Sequence, residues 1–193
     1  MGIEFELKYS AKEETILRLS REITGQQQRF HMRTTYYDTP SGALAARYCT
    51  LRCRKENDSS VCTLKTPAGT IGRREWEVPC DRIEAGVEAF RSMGAPEQIL
   101  DFTKEGLIPV CGAEFHRIAI TVELPGTVLE LALDRGVLRG GSREIPLSEV
   151  EVELKSGSEA TCMAYAAGLA AKYGLVPESR SKFSRALALQ KGE

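Results

Sequence analysis

Charged and apolar residues alternate along residues 2–9, where Glu4, Glu6 and Lys8 share one parity and the residues between them are apolar. Successive side chains of a β-strand point to opposite faces of the sheet. The pattern therefore predicts a strand with one ionic face and one apolar face. Residues 150–155 repeat the pattern near the other end of the chain. This repetition indicates that the protein lines a surface with charged side chains.

The same alternation recurs along most of the chain, and helical periodicity fills several of the gaps. Strand-like segments lie at residues 2–9, 29–38, 48–56, 60–67, 72–79, 114–124, 127–138 and 142–155. Helices are predicted at residues 11–23, 82–93, 96–106, 158–173 and 180–190. Turn-forming pairs between neighbouring strands, such as Gly140 and Gly141, indicate hairpins. We expect one α+β domain over residues 1–193.

The charged side chains fall on one face of nearly every predicted strand. Within single strands the residues of this parity are Arg52 and Arg54; Thr63 and Lys65; Arg73, Glu75 and Glu77; Arg117; Glu130 and Asp134; and Glu149, Glu151, Glu153 and Lys155. A charged outer face is ordinary for a single antiparallel strand, but its repetition favours another arrangement. Eight antiparallel strands can close into a barrel, so we expect an eight-stranded closed tunnel with an ionic interior and the helices packed outside.

Composition and charge narrow the function classes. The chain has 26 basic and 27 acidic residues, giving a net charge of −1, which argues against a general nucleic-acid binder. We find no leader segment and no apolar run of membrane-spanning length, and we expect a cytoplasmic protein. The six cysteines show no Cys-x-x-Cys spacing, and neither His31 nor His116 has an evident partner. We therefore expect reduced, packed thiols and no catalytic histidine.

An interior of mixed charge predicts a particular chemistry. Clustered glutamate oxygens suit hard cations such as Mg²⁺ or Mn²⁺. Convergent arginine and lysine side chains suit phosphate oxygens. The chain has neither a G-x-x-x-x-G-K-[ST] nor a G-x-G-x-x-G phosphate loop. A polyphosphate would therefore be held by side chains together with a divalent cation.

Several motifs resemble one family. Residues 4–8, Glu-Phe-Glu-Leu-Lys, resemble the Glu-x-Glu-x-Lys signature of the CYTH family, the triphosphate tunnel metalloenzymes. Further similar segments follow in the family's order at residues 36–40, 51–54, 63–65, 74–77, 151–155 and 181–185. The resemblance implies a closed eight-stranded tunnel and metal-dependent chemistry on triphosphates. It is greatest to bacterial inorganic triphosphatases, in which a helical CHAD domain often follows. We expect none here, because the chain ends at Glu193.

The resemblance also implies roles for individual residues. The metal ligands would be Glu4, Glu6, Asp134, Glu151 and Glu153. The catalytic group would be Glu4, Glu6 and Lys8. The phosphate-binding residues would be Lys8, Arg52, Arg54, Lys65, Arg117, Lys182 and Arg185. Further tunnel-lining residues would be Glu75, Glu77, Glu130 and Lys155.

We expect hydrolysis of inorganic tripolyphosphate to pyrophosphate and orthophosphate, with a small-molecule triphosphate as the partner and neither nucleic acid nor membrane. Three alternatives stay open at this point: an adenylyl cyclase that converts ATP to cyclic AMP and pyrophosphate, a thiamine triphosphatase, and a non-catalytic polyphosphate-binding module. The paired Glu-x-Glu-x-Lys motifs weigh against pure binding, because binding alone would not need so many metal-ligating carboxylates.

Overall fold

One antiparallel sheet of nine strands organises the computed structural model, which describes residues 5–68 and 72–192. The strands are β1 Glu6–Ser10, β2 Gln26–Asp38, β3 Thr50–Glu56, β4 Ser59–Ala68, β5 Gly72–Pro79, β6 Ile108–Leu124, β7 Thr127–Gly140, β8 Arg143–Ser156 and β9 Val176–Pro177. The helices are α1 Glu13–Glu22, α2 Ile83–Ser92, α3 Glu97–Leu100, α4 Glu159–Tyr173 and α5 Lys182–Lys191. Short 3₁₀ turns lie at Ala45–Arg47 and Asp101–Glu105. The predicted α+β class is confirmed.

The strand order is β5-β4-β3-β2-β6-β7-β8-β1-β9. Most neighbours are hairpins, but three pairings join distant parts of the chain: β2 with β6, β1 with β8, and β1 with β9. The second pairing sets the two Glu-x-Glu-x-Lys segments side by side, with Glu6 opposite Glu153 and Lys8 opposite Glu151. Long-range strand pairing thus brings both ends of the chain into one site.

Two apolar clusters cover the outer face of the sheet, as the alternation predicts. Helices α1 and α4 pack on β6, β7 and β8, where Leu131 and Val152 are fully buried. Helices α2 and α3 pack on β3, β4 and β5, where Leu64, Trp76 and Phe90 form the core. Trp76 lies on this apolar face because its parity on β5 is opposite to that of Glu75 and Glu77.

Helix α5 does not pack outside, which differs from the prediction. It lies on the inner, ionic-parity face, where Phe183 and Ala186 join a cluster with Met32, Phe115 and Leu138. The cause is the local sequence of β7. Asp134 and Leu138 point to the same inner face, and because Leu138 is apolar, a helix can pack on that end of the strand. Gly140 permits the close approach, since a Cβ there would lie 2.2 Å from the Ala186 carbonyl oxygen.

The closed eight-stranded barrel is not confirmed. Within residues 5–68 and 72–192 the sheet has nine strands, because the two-residue β9 adds to β1. The end strands β5 and β9 of this order are not paired with each other in the same part of the chain. None of the helices described is long and apolar enough to cross a membrane.

Candidate active site

A cavity of about 670 Å³ lies on the inner face of the sheet. Its charged lining residues are Arg52, Arg54, Glu56, Glu75, Glu77, Arg117, Glu130, Glu153 and Lys155. These residues come from β3 and β5 on one side and from β6, β7 and β8 on the other, so the sheet curves around the cavity. The strand parity therefore directs the ionic face inward, as the sequence predicts.

Strand register aligns three carboxylates across β1, β8 and β7. Glu6 lies opposite Glu153, and Glu153 lies opposite Glu130. We call these three residues the carboxylate row. Like charges directly opposite one another destabilise a sheet, so the arrangement needs nearby positive charge.

Two lysines supply part of that charge. Lys8 Nζ lies 3.4 Å from Glu6 Oε1. Lys155 Nζ lies 2.8 Å from a Glu153 oxygen and 3.7 Å from a Glu130 oxygen. The three glutamate side chains keep 24–29% of their surface exposed, so solvent and ions reach them. Glu4, which we predicted to share this role, lies outside the described residues.

A second carboxylate group lies deeper, beside α5. Asp134, Glu149 and Glu151 have side-chain oxygens within 4.8 Å of one another. Three cations from distant elements surround them: Arg117, Lys182 and Arg185. We call these six residues the buried ion network. It combines three carboxyl groups with three cations.

The contacts inside the buried ion network are short. Arg117 makes a bidentate pair with Asp134, with both N···O distances at 2.7 Å, and also lies 2.5 Å from Glu151. Lys182 Nζ lies 2.9 Å from Asp134 and 2.7 Å from Glu151, and it also contacts Glu149. These charge-assisted bonds are of the strong class.

The start of α5 positions two of these cations. The Ser181 hydroxyl oxygen accepts a hydrogen bond from the Ser184 N–H at 3.0 Å, which caps the helix N-terminus. Lys182 and Arg185 then lie three residues apart on one face of the helix. Arg185 reaches a Glu149 oxygen at 2.6 Å and a Glu178 oxygen at 3.7 Å.

Burial and neighbouring charges move the pKa values of this network in opposite directions. Burial raises the pKa of Glu149 to about 7, although the nearby Lys182 charge opposes the rise. Burial alone would raise the pKa of Glu151 as well, but Lys182 and Arg117 together hold it well below its usual range. The pKa of Lys182 is raised, because Asp134, Glu151 and Glu149 outweigh its burial. Glu149 is therefore the group of this network that titrates near neutral pH.

The opposite wall of the cavity is cationic. Arg52, Arg54 and Lys65 project from β3 and β4, and we call them the cationic wall. Lys65 lies 3.3 Å from a Glu75 oxygen, whereas the Arg52 guanidinium lies 3.8 Å from Glu75, beyond hydrogen-bond distance. The Arg52 Nε is buried and has no hydrogen-bond partner in the described part of the chain. This wall thus holds one buried N–H donor without an acceptor among the described residues.

The charges of the cationic wall also favour the binding of an anion. Burial, followed by repulsion from Arg52, lowers the pKa of Arg54. Arg54 contacts Glu56, and Glu77 accepts a hydrogen bond from the Thr63 hydroxyl at 3.3 Å. The glutamates therefore order this wall, while its arginines still repel each other.

The structure brings most of the predicted residues to one inner face, but it divides them. Glu6, Lys8, Glu130, Glu153 and Lys155 form the accessible part of the site. Asp134, Glu151, Arg117, Lys182 and Arg185 engage one another in the buried ion network. Glu149 was not among the predicted site residues. Its parity, two residues before Glu151, was the signal that could have identified it.

Comparisons with known proteins agree with this picture. A model of the CYTH domain matches residues 2–187. An inorganic triphosphatase from Haemophilus influenzae is 34% identical over 138 residues, which are 69% of this chain and 38% of that relative. The chain thus spans less than two fifths of that relative's length.

Solved structures share the fold. One, from Hippeastrum, is described as an adenylyl cyclase candidate with a dominant triphosphatase activity; it superposes with a TM-score of 0.67 at 20% identity, covering 98% of this chain and 96% of its own. Another, a candidate adenylate cyclase from Bacillus halodurans, gives a TM-score of 0.63 at 20% identity and covers 95% of this chain and 96% of its own. At such identities the likeness shows the fold alone.

Proposed function

This chain belongs to the CYTH domain family, and from that premise we propose that it is a divalent-metal-dependent triphosphatase. Its preferred substrate is inorganic tripolyphosphate, and its products are pyrophosphate and orthophosphate. The observation that carries the proposal is the cavity itself, in which a row of carboxylates faces a wall of cations across about 670 Å³. One side suits a metal ion and the other suits phosphate oxygens.

The carboxylate row fits a hard cation. Glu6 and Glu153 lie directly opposite each other, and their carboxylate oxygens are the ligand type that hard cations prefer. We propose that they hold Mg²⁺ or Mn²⁺, with Glu4 joining them from the same motif and Glu151 adjoining from the buried ion network. When bound, such a cation neutralises phosphate oxygens and acts as a Lewis acid.

The cationic wall fits the phosphate chain. Arg52 and Arg54 are held close together in spite of their repulsion, and an anion between them relieves it. The unpartnered Arg52 Nε gains an acceptor in the same step. Lys65 and Lys8 add point charges at the edges of the cavity. Glu75 and Glu77 hold the wall in shape rather than bind substrate.

Arg117 belongs both to the cavity lining and to the buried ion network. It lines the cavity and also bonds to Asp134 and Glu151, so we propose that it contacts substrate phosphate. Lys182 and Arg185, predicted from the family resemblance to bind phosphate, are instead proposed as positioning residues. They fix the buried carboxylates that in turn fix Glu151.

The reaction needs little covalent help from the protein. Water attacks the terminal phosphorus in line, the P–O bond to the bridging oxygen breaks, and pyrophosphate leaves. The side chains supply orientation and a preorganised field for the spreading negative charge. This mechanism is consistent with a site in which the residues that we propose to act are charged, with no nucleophilic serine, cysteine or histidine among those that the structure describes.

One observation favours a substrate with an organic group. A second cavity of about 250 Å³ lies beside α5, and its lining includes Tyr48, Arg73 and Phe183. An aromatic side chain beside an arginine suits a heterocycle attached to a triphosphate. Thiamine triphosphate hydrolysis and cyclisation of ATP are therefore the second candidates.

One experiment separates the candidates. The protein is given tripolyphosphate, thiamine triphosphate and ATP separately, each with Mg²⁺ and with Mn²⁺, and the products are identified. We expect orthophosphate and pyrophosphate from tripolyphosphate at the highest rate. Cyclic AMP and pyrophosphate from ATP would replace the proposal with the cyclase. No turnover of any substrate with either metal would contradict both and indicate a binding module.

A further inference from the structure

The outer face of the sheet brings the two histidines of this chain together. His31 on β2 and His116 on β6 lie directly opposite in the register. Their rings stack, with centroids 4.8 Å apart and planes 20° from parallel. Their flanking neighbours Phe30, Met32 and Arg117 line the inner cavity, so the histidines point away from the triphosphate site. The sequence holds no other histidine.

A carboxylate joins the pair. Glu114 precedes His116 by two residues on β6 and therefore shares its face. Its Oε1 lies 3.0 Å from His31 Nε2, and its Oε2 accepts a hydrogen bond from Arg139 at 2.7 Å. The hydrogen bond from Arg139 is the main cause that holds the pKa of Glu114 below its usual value, and the bond to His31 adds to it. The carboxylate is thus kept ionised while one of its oxygens faces an imidazole.

The distance between His31 and Glu114 suits a transition metal. Zinc binds imidazole nitrogen and carboxylate oxygen at about 2.0–2.2 Å, so two ligand atoms of a tetrahedral site lie roughly 3.3 Å apart. The His31–Glu114 separation of 3.0 Å is close to this value. A dication could replace the hydrogen of this bond with only small movements of both side chains.

The third ligand is available. His116 is exposed, and in the described part of the chain neither of its ring nitrogens makes a hydrogen bond. Because the two rings are stacked and the three ligand atoms do not all lie within 4.8 Å of one another, the His116 ring has to turn about its side-chain bonds to reach the same ion. The His31 and Glu114 side chains are 43% and 34% exposed, so an ion reaches them from solvent.

We propose that His31, Glu114 and His116 form a binding site for a transition-metal dication, with Zn²⁺ as its best-suited occupant. Two imidazoles and one carboxylate prefer Zn²⁺, Cu²⁺ or Ni²⁺ over Mg²⁺. Arg139 orients Glu114 from behind, as outer hydrogen-bond partners of metal ligands do. Glu144, 2.7 Å from Arg139, offsets the arginine's charge. The site is separate from the carboxylate row, and it does not depend on the proposed triphosphatase activity.

The two-histidine composition gives a direct test. Zn²⁺ is titrated into the untagged protein in saturating Mg²⁺, which competes for the oxygen-rich inner site, and the imidazole proton resonances are followed by NMR. We expect both histidine signals to shift together and to saturate at one equivalent. This readout is insensitive to zinc held by cysteines or by the inner carboxylates.

Variants then test each ligand. His116→Ala and Glu114→Gln are each expected to weaken zinc binding about tenfold or more, measured by competition with a chromophoric chelator. Glu13→Gln is the matched control, because it removes one carboxylate from an exposed pair with Arg135 on the same outer surface. Unchanged signals from either histidine in the wild type, or wild-type affinity in either ligand variant, would overturn the site.

Discussion

Two carboxylate groups lie on the same inner face within two residues of each other along β8, and they differ in almost every physical respect. The carboxylate row is about one quarter exposed, with its nearest lysine contacts at 2.8–3.7 Å. In the buried ion network Asp134 and Glu149 are fully buried, and they contact Arg117, Lys182 and Arg185.

The difference is set by α5. Where the helix covers the sheet, water is excluded and protein cations must neutralise the carboxylates, because an unpaired buried charge is very unfavourable. Where the helix does not cover the sheet, the carboxylates stay hydrated and can exchange partners. The same residue type thus becomes structural under the helix and available for chemistry beside it.

The largest effect is expected from the carboxylate row. Glu153→Gln removes a proposed metal ligand and should lower kcat/KM for tripolyphosphate about a thousandfold. Stability should be unchanged or slightly higher, because repulsion from Glu6 and Glu130 is relieved. Steady-state phosphate release and thermal unfolding measure the two quantities.

The control for this variant is Glu88→Gln, an exposed carboxylate on the outer helix α2, which should behave as wild type. Wild-type turnover by Glu153→Gln would show that the carboxylate row does not hold the metal ion.

The buried ion network should respond in the opposite manner. Lys182→Met leaves three clustered carboxylates without their shared cation and should reduce the free energy of unfolding by about 3 kcal/mol. Lys8→Met should change it by less than about 1 kcal/mol, because the Lys8–Glu6 pair is longer, at 3.4 Å, and Glu6 keeps 29% of its side-chain surface exposed. Urea denaturation of both variants gives the comparison. Equal losses would show that burial does not separate the two regions.

The pH dependence of stability tests Glu149. Its pKa is raised to about 7 in the folded protein, so its contribution to stability is present below the unfolded pKa and is lost as pH rises through 7. The wild type should therefore lose on the order of 2–3 kcal/mol relative to Glu149→Gln between pH 5 and pH 8. Denaturant midpoints at several pH values measure the difference.

Glu178→Gln is the control for this pH series. Arg180, through a side-chain hydrogen bond, lowers the pKa of Glu178 to about 2, so its carboxylate does not titrate in that window. Its difference from wild type should stay constant. A flat difference for Glu149→Gln would show that Glu149 is ionised throughout.

The smallest effect concerns the cationic wall. Arg52→Ala should raise KM for tripolyphosphate about tenfold with a smaller change in kcat, because the proposed role of the side chain is to bind phosphate in the ground and transition states alike. Arg74→Ala, of opposite parity and exposed on β5, serves as the control. A loss in kcat with KM unchanged would instead place Arg52 at the transferred phosphoryl group.

Much of the site could be predicted from the sequence, because strand parity is a local property. Glu6 and Lys8, Arg52 and Arg54, and Glu151 and Glu153 each had to share a face once their segments were strands. Trp76 had to face the core for the same reason. The motif order also predicted the family that the CYTH domain match confirms.

Other features could not be predicted in this way. The inner position of α5 depends on the apolar Leu138 and Leu147 meeting Phe183 across the fold. Glu149 was overlooked because its importance arises from Lys182 and Arg185, which approach it from another element. His31 and His116 had no evident partner in sequence, and the pairing of β2 with β6 made them neighbours.

The sequence by itself determined the eight long strands, their ionic and apolar faces, and the motif that opens the first strand. The tertiary structure decided which of those charges are buried and which face the cavity. Parity follows from the two-residue repeat of a single strand. Desolvation depends on what distant segments place on top of that strand, and here α5 covers Glu149 while it leaves Glu6 and Glu153 open to solvent.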